Sequence, residues 1–259
     1  MSALKVPAWQ KMIFIKSASE LEAMRASGAL LARIADKIRP KIAVGISTGE
    51  IDKFAEELIF EAGALPAFKG YGGFPANICA SLNDEVVHGI PSKERRLKSG
   101  DLLKLDIGIN LNGYFSDCAF TAVIGSVDKG IRRLMDATKK ALELGIAAAR
   151  PDNHLSDISW AIQNYVQQQG FSVVRDFVGH GIGRQMHEVP EVPNFGPPHQ
   201  GPLLKSGMVL AIEPMVNMGT AEVIIAENGW TALTKDHLAS AHYEHTVAIT
   251  DSGPEILTR

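Results

Sequence analysis

Four carboxylates stand in stretches whose other residues belong in strand interiors. Asp106 closes LLKLD, Asp117 interrupts YFSDCAFTAV, Glu213 closes MVLAIE, and Glu244 precedes the apolar end of HYEHTVAIT. Burying an ionised carboxylate is costly unless a basic partner or a metal cation accompanies it. One such residue alone reads most simply as half of a salt bridge. Four of them would need four basic partners, and the neighbouring segments hold almost none. Two divalent cations balance the same charge. His180, in GHGIG, adds an imidazole, and four oxygen donors with one nitrogen make a fairly hard site. Such a set suits two adjacent ions of cobalt, manganese, iron or zinc. Closed structural zinc sites are richer in Cys and His; His180 and the lack of an EF-hand-like loop argue against calcium. Two ions about 3.5–4 Å apart can share a water, lower its pKa and hold the oxygens of a hydrolytic transition state.

Two further histidines, His88 in HGIP and His187 in HEVP, flank this set in sequence without being needed to fill it. Either they hydrogen-bond a scissile amide and its developing oxyanion, or they are loop histidines with no such task. His154, His199, His237 and His242 lack comparable surroundings and read as ordinary histidines. His245, directly after Glu244, reads equally well as a group that orients a ligand and as a bystander.

The elements that must position these groups come in two similar sets. Residues 17–40 read as a helix: Ser17 and Glu20 fit a capping box, Leu21, Met24, Leu31, Ile34 and Ile38 recur at helical spacing, and Pro40 stops the run. A second helix runs from about Ser47, with Glu50 completing its capping box, to near Gly63. Short apolar runs broken by Gly, Pro and Asn then predict strands. The order repeats with helices from about Ile131 to Arg150-Pro151 and from about Ser156 to Gln169, followed again by strand-like segments. His88-Gly-Ile-Pro91 echoes His180-Gly-Ile-Gly183, and Lys98-Ser-Gly100 precedes Asp106 by the interval at which Lys205-Ser-Gly207 precedes Glu213. These echoes predict an α/β chain built from two related halves, about 17–125 and 131–250, with a ligand site at their interface. No Pro/Ser-rich linker divides the halves at SVDKG, so residues 1–259 read as one domain.

Composition narrows the function classes. With 46% hydrophobic and 21% charged residues, the chain has the make-up of a globular domain with a sizeable core. A net charge of −3 argues against a general nucleic-acid or membrane-surface binder. The basic run Lys93–Lys98 (KERRLK) reads as a solvated loop. No apolar run approaches the ~18 residues of a membrane span. Cys79 and Cys118 form neither a disulfide framework nor a CxxC knuckle, which fits a reducing, cytoplasmic setting.

With these residues in place, the chain resembles the type I methionine aminopeptidases. NDEVVHGIP (83–91), LDIGINLNGYFSDCAFT (105–121), GHGIG (179–183), HEVP (187–190), IEPM (212–215), WTALTKD (230–236) and YEHTV (243–247) carry the resemblance. It implies the pita-bread α/β fold, two pseudo-symmetric helix-helix-strand halves around a dinuclear metal site. It further implies Asp106 as terminal ligand of one metal, Asp117 and Glu244 as bridging ligands, and His180 with Glu213 completing the other. Glu213 would also accept the proton of the attacking water, and His88 and His187 would contact the substrate backbone around the scissile bond. Tyr71, Phe74, Cys79 and Trp230 would line the methionine pocket, although Cys79 in NICASL reads equally well as a small core residue. Met186 before His187 and the YGGFP segment depart from the commoner family forms and are expected to retune that pocket. The implied activity is release of the initiator methionine from nascent polypeptides with a small second residue. The implied enzyme is a monomer that makes transient contact with the ribosome. The short stretch before the first helix and the close spacing of His180 and Glu213 fit the short bacterial form. Its own start, Met1-Ser2, would be a substrate.

Overall fold

Helix α1 (Ala18–Ile38) begins where its capping box closes: the Ser17 hydroxyl accepts the Glu20 N–H while the Glu20 carboxylate accepts the Ser17 N–H. Met24, Leu31, Ile34 and Ile38 form its buried stripe, and a short 3₁₀ turn through Pro40 ends it. Helix α2 (Thr48–Glu61) has the same start, with Ser47 and Glu50 exchanging equivalent bonds. The computed structural model describes residues 13–259, so the expectation for Met1 and Ser2 lies outside the described residues.

Five strands follow: β1 (Leu65–Pro66), β2 (Ile78–Leu82), β3 (Glu85–Val87), β4 (Leu102–Leu111) and β5 (Tyr114–Val123). Helix α3 (Lys129–Ala148) starts two residues earlier than its apolar pattern predicts, because the Asp128 carboxylate accepts the Ile131 N–H at 2.9 Å. Helix α4 (Leu155–Gln168) is capped by Asp157, whose carboxylate accepts the His154 N–H at 2.7 Å. The remaining strands are short: β6 (Ser172–Val173), β7 (Gly179–Gly181), β8 (Glu188–Val192), β9 (Val209–Ile212), β10 (Met215–Asn217), β11 (Val223–Ile225), β12 (Ala232–Thr234) and β13 (Ser240–His242). The last two are β14 (Glu244–Thr250) and β15 (Gly253–Ile256).

Nine of these strands make one sheet in the order β1-β4-β5-β14-β9-β7-β8, with β2 also on β4 and β15 also on β14. Every pairing in it is antiparallel. Side chains alternate across a strand, and here the alternation sorts the sheet into two faces. Leu103, Leu105, Ile107 and Ile109 of β4, with Cys118 and Phe120 of β5, pack under α1 and α2. Leu210 and Ile212 of β9, with Val247 and Ile249 of β14, pack under α3 and α4. Burying each of these large aliphatic side chains contributes roughly 1.5–3 kcal/mol, which fixes the register of all four strands. Residues of the opposite parity must then face the other way, and the four carboxylates are among them.

Within the basic run, Arg95 donates through Nη2 to both oxygens of Glu85, at 2.8 and 2.7 Å, and Arg96 reaches Glu50 at 3.3 Å. Two of its cations are thus matched locally.

Candidate metal centre

The register of the central strands brings the carboxylates together. Asp106 on β4 and Glu244 on β14 both pair with Ala119 of β5, one from each side. Asp117 lies two residues before Ala119 and so shares its face. On the next strand, Ala211 of β9 pairs with both His180 of β7 and Thr246 of β14, and Glu213 lies two residues beyond it on the same face. Ala119 and Ala211 leave a shallow floor over which the larger polar groups converge. Thr246 ties that floor together, since its hydroxyl accepts the Asp117 N–H at 2.9 Å and donates to the Asp117 carbonyl at 2.8 Å. The glycines around His180 are forced by closeness: a Cβ on Gly179 would stand 2.3 Å from the Ala211 carbonyl oxygen, and one on Gly181 2.5 Å from that of Val189.

Asp117, His180 and Glu244 each present a ligand atom within 4.8 Å of the others, and all three are buried. Asp106 and Glu213 line the same cavity, as do His88 and His187. One oxygen each of Asp106, Asp117 and Glu244 lies out of solvent reach with no hydrogen-bond partner among the described residues. Burial pushes Asp106 up to about 7. Burial, and then the neighbouring carboxylates, push Asp117, Glu213 and Glu244 well above the usual range. No basic side chain is ion-paired with Asp106, Asp117 or Glu244 among the described residues. Bare buried acids of this kind are what divalent cations relieve. His180 is prepared for the same role. Its Nδ1 donates to the Gly181 carbonyl at 2.9 Å, which leaves the Nε2 lone pair facing the acids. Burial also pushes its pKa down to about 3, so the ring is an unprotonated donor at neutral pH. The donor set therefore fits divalent metal.

Above the acids the cavity, about 90 Å³, turns apolar. Tyr71, Phe74, Cys79 and Trp230 line it, joined by Phe68 and Met186, which is 2% exposed. Phe74 and Trp230 meet edge to face with ring centres 5.2 Å apart. The His187 Nδ1 is hydrogen-bonded to the Tyr71 hydroxyl at 2.8 Å, and its ring lies 4.1 Å from that of His180. His88 adopts a left-handed backbone, with φ 60°, and stacks edge to face with Phe177. Burial lowers it to about 4. All the side chains singled out in the sequence for metal and substrate thus face one cavity. Cys79 lines the cavity and also packs in the core beside Phe74.

The remaining histidines divide differently than their contexts suggest. His245 alternates onto the helix-side face and bonds Thr258 through Nδ1 at 2.9 Å, away from the acids. His242, passed over in the sequence, is 1% exposed and places Nε2 3.7 Å from Glu213 Oε2. The available signal for it was proximity alone: His242 stands two residues before Glu244, with Tyr243 separating β13 from β14. His154, His199 and His237 bond Gly201, Asp157 and Asp84 at the surface.

The comparisons with known proteins point one way. The model of metallopeptidase family M24 matches residues 22–251. A methionine aminopeptidase of Clostridium acetobutylicum is 50% identical over 95% of this chain and 99% of that protein. Methionine aminopeptidase 1 of Bacillus subtilis is 48% identical over 96% of this chain and 100% of its own length. Among solved structures, the methionine aminopeptidase of Thermotoga maritima superposes with a TM-score of 0.94 at 43% identity, covering 96% of this chain and 100% of that one.

Proposed function

This chain belongs to metallopeptidase family M24, and from that premise we propose that it releases the N-terminal methionine of nascent polypeptides at the cavity described above. It is a metal-dependent aminopeptidase with the pita-bread fold of its relatives. The observation that carries the reading is the meeting of four carboxylates, of which Asp117 and Glu244 are buried, and His180 with an apolar, aromatic-walled slot in one cavity. In this reading the chain is one catalytic unit with related halves, 17–125 and 131–250. It acts as a monomer in the cytoplasm, where its substrates are made, and touches the ribosome transiently as they emerge.

Two divalent ions, of manganese, iron, cobalt or zinc, would be held by Asp106, Asp117, His180, Glu213 and Glu244. When bound, they supply Lewis-acid polarisation of the scissile carbonyl and of the attacking water. Glu213 accepts the proton of that water and passes it to the leaving amide nitrogen. His187, held through Nδ1 by Tyr71, presents Nε2 toward the developing oxyanion. His88, which lines the same cavity, steers the scissile amide. Phe68, Tyr71, Phe74, Cys79, Met186 and Trp230 enclose the thioether side chain, and Met186 gives that wall a deformable, polarisable surface.

Peptidase activity of the chelator-stripped protein tests this reading, with Met-Ala-Ser and Met-Leu-Ser as substrates and each of the four metals restored in turn. Metal-dependent release of methionine from the first peptide, with little from the second, is expected. A folded protein that releases none with any metal would refute it.

A further inference from the structure

His242 ends β13 and pairs with Met215 of β10, two residues beyond Glu213. Its backbone is clamped from β5: its N–H donates to the Thr121 hydroxyl at 3.0 Å, and its carbonyl accepts that hydroxyl at 2.7 Å. The ring is fully enclosed, yet neither ring nitrogen has a hydrogen-bond partner among the described residues. A polar ring buried in this state is costly unless something completes it. Among the described residues, the acidic group ion-paired with it is Glu213, whose Oε2 lies 3.7 Å from His242 Nε2. The other oxygen, Oε1, lies 3.5 Å from Nε2 of His180. Glu213 therefore stands between two imidazoles, one oxygen toward each, and no hydrogen bond holds its carboxylate among the described residues.

We propose that His242 is a positioning residue for Glu213, donating Nε2–H to Oε2 so that Oε1 is left for the cation it shares with His180. The present separation is longer than a hydrogen bond, and a movement of under about 1 Å by the unheld carboxylate closes it. The bond divides the labour of one carboxylate: it fixes the rotation of the group and hence which oxygen meets metal. His180 has the corresponding support in its bond to the Gly181 carbonyl, and metal ligands are characteristically oriented by such outer partners. The inference rests on the assignment of Glu213 as a ligand made above.

The test titrates chelator-stripped full-length protein with manganese(II) by calorimetry, for wild type, His242→Leu and His242→Gln, and measures kcat and KM on Met-Ala-Ser. His242→Leu should weaken manganese binding by about 10- to 100-fold and lower kcat to a similar extent, with KM changed by less than about threefold. His242→Gln, whose amide can donate to Oε2, should stay within about threefold of wild type in affinity and kcat. If His242→Leu does not fold, His242→Asn replaces it, its shorter amide being unable to span the gap. Wild-type affinity and kcat in His242→Leu, or a His242→Gln protein no better than His242→Leu, would overturn the proposal. A wild-type protein that takes up no manganese would instead overturn the assignment of Glu213 itself.

Discussion

Replacing Asp106 by Asn should stabilise the metal-free protein while abolishing its activity. Burial raises the Asp106 carboxyl from 3.8 to about 7. The sign follows from linkage: the folded chain keeps this proton to a higher pH than the unfolded chain, so metal-free stability falls as pH rises from about 4 to about 7 and levels off above. At about 1.36 kcal/mol for each pKa unit, the penalty at pH 8 is about 4 kcal/mol, and at pH 5 it is about 2 kcal/mol. Part of Asp106 reaches the cavity, so these figures are upper bounds, and about 2–4 kcal/mol is expected at pH 8. Asn carries no such penalty at either pH. In thermal unfolding of chelator-stripped protein at pH 8, Asp106→Asn should melt roughly 5–15 °C above wild type. The gain should shrink at pH 5, and added manganese should reverse the order by stabilising wild type alone. A variant that melts at or below wild type at pH 8, or gains equally at both pH values, would show that charge burial is not what the metal relieves.

Metal uptake should release protons, because all four carboxylates are held above their usual range; apparent affinity should then fall as pH drops below about 7. Calorimetric titrations in two buffers of different ionisation enthalpy measure this, and equal heats in both would count against it. Lys16 and Glu188 form an ion pair at 2.6 Å with side chains only 6% and 3% exposed. Lys16→Met should therefore cost about 3–5 kcal/mol in urea unfolding by stranding the Glu188 charge, and adding Glu188→Gln should recover much of it. Gly108→Ala would place a methyl 2.8 Å from Phe68 and 3.3 Å from Met186 at the cavity wall. It should lower kcat/KM on Met-Ala-Ser by roughly 10-fold or more while metal uptake is unchanged, as measured by steady-state assay and calorimetry.

The legible parts of this chain were those with a long period or a costly residue. Helices α1 and α2 announced their starts by capping boxes at Ser17 and Ser47, and the acids of β4, β5 and β14 and the one just past β9 stood out because an apolar strand has no other use for them. The start of α3 was misplaced by two residues because Asp128 caps it without an apolar signal. Strands of two or three residues, such as β6, β7, β11 and β13, are too short to show a period of two and are fixed by their partners instead. The histidines of HYEH illustrate the consequence. Adjacency in sequence left His245 evenly balanced between a group that orients a ligand and a bystander; the pleat of β14 turns it toward Thr258, while the pairing of β13 with β10 brings His242 to Glu213. Phe68 was missed because only the fold brings it over Gly108.

In the proposed mechanism five side chains of one cavity hold a pair of divalent ions. Titrating stripped protein with manganese(II), wild type beside Asp117→Asn, measures this directly. Two ions bound per wild-type chain, and loss of paired binding in the variant with folding intact, are expected. Two ions bound equally well by both proteins, or none by wild type, would contradict it.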